Sequence, residues 1–409
     1  MLIINIKELF GIRESVHFLR GKEMAELPSV RNAYIRITED RIAAFGSMSD
    51  LSPREINETD CINAAGQFIL PAWCDSHTHL VFAGSRENEF VDKIKGLSYE
   101  EIARKGGGIL NSAGLLNETS EEELFRQSWQ RLQEVRSSGT GSIEIKSGYG
   151  LNTEAELKML RVIRRLKEHS DLNIKATFLG AHAYPADFRN NHQGYIDQIC
   201  QEMLPRVAEE KLADYIDVFC EEGFFGIPET QQILDVASQL GIKAKLHANQ
   251  LKNSGGVQLG IKNSAVSVDH LECIGEAEIE ALKNADTIPT LLPSAAFFLR
   301  MPYQPARKMI DSGLGVALAS DFNPGSSPSG NVPLLISLAC IQLKMTPEEA
   351  INAITINGAF AMGLGQETGS ITPGKRADLI FTKAIPSLAY LPYSFGSNLI
   401  DKVMLKGKF

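Results

Sequence analysis

The sequence predicts an α/β fold. An eight-stranded (β/α)8, TIM-like barrel is expected over residues 71–355, with a small β-sandwich domain built from residues 1–70 and 356–409. Three observations carry this. Apolar, strand-like runs alternate with helix-patterned segments, as in a parallel sheet, and there are enough of them for a closed barrel of about 250 residues. The two chain ends are instead rich in short strands and turns. Five of the eight histidines fall where a predicted run ends, the face on which such barrels keep their chemistry.

At the N-terminus, Met1-Leu2-Ile3-Ile4-Asn5-Ile6-Lys7 reads as a strand. It has no basic segment before its apolar run, so it does not read as a signal peptide. Residues 33–37 and 41–45 flank the polar Thr38-Glu39-Asp40 and predict a hairpin. The barrel runs follow: 72–79, 141–147, 174–182, 216–220, 244–247, 265–270, 287–292 and 315–321. Between them, Ser120-x-x-Glu123 and Thr153-x-x-Glu156 read as helix starts. Thr346-Pro347-Glu348-Glu349 joins a cap, a first-position proline and a third-position glutamate. Residues 377–381 and 402–408 are again strand-like, and the two chain ends are expected to pair.

Composition narrows the function classes. Lys plus Arg is 41 against 50 Asp plus Glu, a net charge of −9, which argues against a nucleic-acid binder. With 44% hydrophobic and 22% charged residues the chain is an ordinary globular one. No apolar stretch reaches the length of a membrane span. The six cysteines include no CxxC pair, which fits a reduced, cytoplasmic setting. Gly106-Gly107-Gly108 lacks the Gly-Lys-Ser/Thr of a phosphate loop and reads as a flexible lid, and Phe297-Phe298 as lid or core packing.

The sharpest motif is His77-Thr78-His79. Residues i and i+2 of a strand share a face about 6.6 Å apart, so two imidazoles can converge on one metal ion. With His247 and Asp321 at other run ends, three imidazoles and a carboxylate suit a transition metal rather than calcium or magnesium.

Asp75-Ser76-His77-Thr78-His79, the later histidines at run ends, Asp321 and the 369–379 segment Gly-Ser-Ile-Thr-Pro-Gly-Lys-Arg-Ala-Asp-Leu resemble the amidohydrolase superfamily along the whole chain. Residues 77–86, Glu144-Ile145-Lys146-Ser147-Gly148-Tyr149-Gly150, Leu179-Gly180-Ala181-His182 and Asp321-Phe322-Asn323-Pro324-Gly325-Ser326 resemble its imidazolonepropionase family. The resemblance implies a metal-dependent hydrolase of histidine degradation that opens 4-imidazolone-5-propanoate with water to give N-formimino-L-glutamate, and a homodimer. It also implies His77, His79, His247 and Asp321 as ligands of one divalent ion, Zn2+ or Fe2+, with Asp321 as base and His270 beside the developing oxyanion. Arg86, Tyr149, His182, Gln250, Asn323, Gly325 and Ser326 are the expected substrate-binding residues. Neither Lys146 nor Lys175 looks placed to bridge two metals as a carbamate, which favours one ion. The competing readings are an aminohydrolase releasing ammonia from a heterocycle, against which Gln250 and Arg86 speak, and a non-catalytic scaffold, against which the full ligand set speaks.

Overall fold

The computed structural model describes residues 1–58, 60–97, 101 and 107–409; Gly106 of the expected glycine lid lies outside them. Strands β1 (Leu2–Phe10), β2 (Ser29–Thr38), β3 (Arg41–Ser47), β4 (Cys61–Asn63) and β5 (Phe68–Pro71) precede the barrel. The barrel strands are β6 (Trp73–Thr78), β7 (Thr140–Lys146), β8 (Asn173–Ala181), β9 (Tyr215–Cys220), β10 (Lys243–Ala248), β11 (Ser267–His270), β12 (Ile288–Leu291) and β13 (Ala317–Leu318). Strands β14 (Leu379–Thr382) and β15 (Ile400–Met404) close the chain.

β6 to β13 form an eight-stranded sheet in sequence order, parallel at every pair. Each expected run corresponds to one of them. These strands are buried almost throughout, so they read as apolar stretches rather than as alternations. The ring closes between its ends. Thr78 and Phe322 form a parallel bridge, Asp321 N donates to His77 O at 3.0 Å and His79 N to Phe322 O at 2.9 Å. Asp75 seals the seam, accepting from Ser320 N at 2.9 Å and Ser320 Oγ at 2.6 Å.

The chain ends share a seven-stranded sheet of order β15-β14-β5-β1-β2-β3, with β4 beside β1. The expected hairpin is β2–β3, antiparallel from Ala33↔Ser47 to Thr38↔Arg41. β14 pairs with β5, which joins the C-terminal strands to the N-terminal ones. Its inner face is the cluster of Ile3, Leu9, Ile35, Ile69, Leu379 and Phe381. One residue, Ala72, separates β5 from β6, so the two sheets are linked directly. Asp378 also joins them, accepting from Nδ2 of Asn173, the first residue of β8, at 2.8 Å and from Lys406 N at 2.9 Å.

Two helix starts are as read: Ser120 Oγ caps Glu121–Ser137, and Thr346 and Glu349 form a reciprocal capping box. The third is displaced by one residue. Asn152, not Thr153, caps Thr153–His169, and the Glu156 carboxylate accepts from the amides of Gly148, Gly150 and Leu151 instead. The turn ahead of this helix needs three backbone donors satisfied in a buried place, and a carboxylate does that better than a hydroxyl.

Candidate metal and substrate site

The strand ends bring the expected residues together on one face of the barrel. His77 and His79 project from the end of β6 with ring centroids 5.3 Å apart. The His247 ring, on β10, lies 4.5 Å from that of His77, and the His270 ring, ending β11, lies 5.1 Å from that of His247. Asp321, just past β13, places Oδ1 3.5 Å from His77 Nε2 and 3.6 Å from His79 Nε2. One ligand atom from each of His77, His79 and His247 lies within 4.8 Å of the others, and the same holds for His77, His270 and Asp321. All five residues are buried.

The donor atoms are oriented from behind. Asp269 Oδ2 sits 2.6 Å from His77 Nδ1, and Asp217 Oδ2 2.9 Å from His247 Nδ1. At His77 the carboxylate accepts, so Nδ1 carries the proton and Nε2 is left bare for a metal; Asp217 lies against His247 Nδ1 in the same way. His77 Nε2 and His79 Nδ1 are buried with no hydrogen-bond partner. Burial, with Lys146 and the neighbouring imidazoles, holds His77 well below the usual histidine range; burial with His182 and His247 does the same for His79. Neutral, converging nitrogens beside a carboxylate are what zinc or iron(II) requires, so the residues present fit a divalent transition metal.

Beneath them lies an ionic network that sequence reasoning missed. Lys146 Nζ is 2.6 Å from Glu144 Oε1, 2.8 Å from Asp217 Oδ2 and 3.7 Å from Asp269 Oδ2. Lys245 pairs with Glu144 and donates to Ser76 O at 2.9 Å. Burial would lower the Lys146 pKa, but Asp217, Glu144 and Asp269 outweigh it and raise it. Its ammonium is thus held charged, and Lys175 is engaged with Asp214 at 2.8 Å; neither is free to form a carbamate. The available signal was a charged residue at alternate positions inside otherwise apolar runs.

Asp321 has the left-handed φ of 53°. The turn that follows supports it. Asn323 Oδ1 accepts from the amides of Gly325 and Ser326, both at 2.8 Å, while Asn323 Nδ2 donates to Asp321 O at 2.6 Å. Ser326 Oγ donates to Asp321 Oδ2 at 3.1 Å. Burial raises the Asp321 pKa against the opposing pull of His270 and His247. Burial alone would lower the pKa of His270, but Glu272, Asp321 and Asp269 raise it overall.

Two of the residues expected to bind substrate, Arg86 and His182, border one cavity. Arg86, Glu89, Lys93, His182, Phe219 and Phe224 border a cavity of about 160 Å3. Arg86 Nε donates to Ser112 Oγ at 2.8 Å, and its buried Nη2 has no partner. Gly325 faces the guanidinium, where a Cβ would overlap Nη1. His182 Nδ1 is 2.9 Å from Gly148 O, so that nitrogen carries the proton and Nε2 is bare. Burial, with His247, takes the His182 pKa down to about 3. The Tyr149 ring is 5.9 Å from that of His79 and 5.5 Å from that of His182. Gln250 is buried on a loop whose amides at 250, 251 and 252 all donate to Glu221. Phe298 stacks on Phe90 at 5.4 Å beside this mouth, whereas Phe297 is exposed. Lys93, Glu221 and Glu272 are further residues here that sequence reasoning did not single out.

The model of the amidohydrolase family matches residues 68–409. An imidazolonepropionase of Flavobacterium johnsoniae is 58% identical over 408 residues, covering 100% of this chain and 99% of the relative. One from Christiangramia forsetii is 55% identical over 409 residues (100% and 99% covered), and one from Alkaliphilus oremlandii 42% over 408 (99% and 96%). Among solved structures, E. coli guanine deaminase superposes with a TM-score of 0.75 at 12% identity, covering 100% of this chain and 98% of that one. An atrazine chlorohydrolase from Arthrobacter aurescens, complexed with zinc, superposes at 0.69 and 15% identity (100% and 94% covered). At such identities these structures speak for the fold.

Proposed function

Because the chain belongs to the amidohydrolase family, and to the imidazolonepropionases within it, we propose that His77, His79, His247 and Asp321 hold a single divalent ion, zinc or iron(II), in an imidazolone-opening site. The enzyme is a hydrolase of C–N bonds in cyclic amides. It converts 4-imidazolone-5-propanoate and water to N-formimino-L-glutamate. The observation that carries the site assignment is the convergence of His77, His79 and His247, with Asp321 against His77 and His79, next to His182, which stacks on His79 and borders the same cavity as Arg86.

The divalent ion supplies activation of water and polarisation of the ring carbonyl. The rest belongs to the chain. Arg86 binds the propanoate carboxylate with its unpartnered Nη2, and Gly325 leaves the room for the guanidinium. Tyr149 and the bare Nε2 of His182 contact the ring, and Gln250 orients it by hydrogen bonds. Water oxygen adds to the ring carbonyl carbon, and a carboxylate oxygen of Asp321 takes the proton released. His270 faces the oxygen on which negative charge develops. The carbon–nitrogen bond then breaks, and the proton held on Asp321 passes to the departing ring nitrogen. Gln250 has no ionisable group, which leaves the proton to Asp321. Asn323, Gly325 and Ser326 border the substrate carboxylate and keep Asp321 in place.

The test follows loss of imidazolone absorbance in freshly made 4-imidazolone-5-propanoate, with a no-enzyme blank and with and without a chelator. Fast, chelator-sensitive loss with N-formimino-L-glutamate as product is expected, without ammonia. No acceleration by metal-loaded protein would remove the substrate assignment.

A further inference from the structure

Among the described residues, the side chain hydrogen-bonded to the His270 ring is that of Glu272. The Glu272 side chain is wholly buried, 0% exposed. Its Oε1 lies 3.5 Å from His270 Nδ1, and its Oε2 has no hydrogen-bond partner. A buried carboxylate with an unsatisfied oxygen is costly and calls for a reason. The backbone here is unusual as well: His270 and Leu271, neither of them glycine, have φ of 87° and 68°. Strained residues of this kind persist where the surroundings over-determine them, commonly at functional sites. The surroundings are visible. Leu271 N donates to Ala248 O at 3.1 Å and Cys273 N to Asn249 O at 2.8 Å, which ties the strained turn to the loop after β10. The effect is to place side chains 270 and 272 against each other, with a ring nitrogen of His270 within 4.8 Å of ligand atoms of Asp321 and His77.

Resting on the functional reading above, we infer that Glu272 is the positioning residue for His270: it accepts the Nδ1–H and thereby aims Nε2 at the reacting carbonyl. The contact is longer than a strong hydrogen bond, as such contacts commonly are before substrate binds. The loop that carries Gln250 is instead fixed to Glu221. Asp217 and Asp269 are not available, because they serve His247 and His77.

The experiment uses the zinc-loaded full chain in two readouts. In the first, kcat and KM on 4-imidazolone-5-propanoate are measured for wild type, Glu272→Ala, Glu272→Gln, His270→Ala and the double alanine variant. Glu272→Ala should lose about tenfold or more in kcat with KM and zinc content little changed. Glu272→Gln keeps an acceptor oxygen and should recover much of that loss. In the His270→Ala background, Glu272→Ala should cost nothing further. Equal losses in both backgrounds, or an unchanged kcat in the single variant, would overturn the assignment, because a structural role is independent of His270. The second readout is the 15N-histidine NMR spectrum of wild type, which needs neither substrate nor a folded variant. His270 should be protonated at Nδ1. A neutral ring with a bare Nδ1 would overturn the assignment. If wild type fails to open the imidazolone ring, the functional reading falls while the spectrum still decides the role of Glu272.

Discussion

The proposed roles divide the side chains of this site into those that would hold the metal and those that would act on the substrate, and substitutions should separate them. His247 is fixed by Asp217 through both its ring and its backbone amide. His247→Ala should abolish stoichiometric metal, read by elemental analysis after gel filtration. His270→Ala should keep metal and lose most turnover; near-normal rates would refute its place in the reaction. Arg86→Ala should weaken ground-state binding by about 1.5–3 kcal/mol, the range for a hydrogen bond to a charged group. Unchanged Michaelis and inhibitor constants would remove that role. Gly325→Ala should weaken binding in the same direction, because its methyl group displaces the guanidinium. The clustering of these residues was legible in the sequence because strand periodicity gives His77 and His79 a common face, and because His247 and Asp321 end apolar runs. Glu272 was not legible. It lies beyond its strand, and only the two left-handed residues at 270 and 271 turn it back toward the site.

At the scale of strands, the barrel interior trades apolar packing for a buried charge network. Glu144, Lys146, Asp217, Lys245 and Asp269 are all 0% exposed, and they come from four strands, β7, β9, β10 and β11. Removing one partner of such a set leaves unpaired buried charge, at a cost of about 3–5 kcal/mol. Lys146→Met should therefore lower stability by about that much in chemical denaturation. It should also weaken metal binding roughly 10–100-fold, the scale on which outer partners of ligands act, because Asp217 and Asp269 lose a common counter-ion. Full metal affinity in a folded Lys146→Met protein would show that the network is merely structural. Strand positions could be read because parallel strands covered on both faces are apolar runs. The network could not, because only Glu144 and Lys146 share a run, and Asp217, Lys245 and Asp269 meet them only once distant strands are adjacent. The helix start misread at Thr153 has a similar cause: Glu156 meets a buried turn that its spacing does not reveal.

For the whole molecule, the terminal sheet and the barrel are joined by Ala72 and by Asp378, so they should lose structure together. Asp378→Ala leaves part-buried donors without their acceptor on both sides. It should cost about 1–3 kcal/mol and shift a single calorimetric transition to lower temperature. Two separated transitions would show that the sheets are energetically independent. The pairing of the ends was foreseeable from their matching strand character, but the order of the strands was not, since register depends on contacts between residues hundreds of positions apart.

That order also carries a consequence for biosynthesis. β5 is translated early, yet one of its edges is paired by β14, which leaves the ribosome almost last. Throughout elongation the nascent chain displays an open strand edge directly upstream of the segment bearing His77 and His79. Such edges are aggregation-prone, so yield in the cell should respond to chaperone supply and translation speed more than the stability of the finished enzyme would indicate.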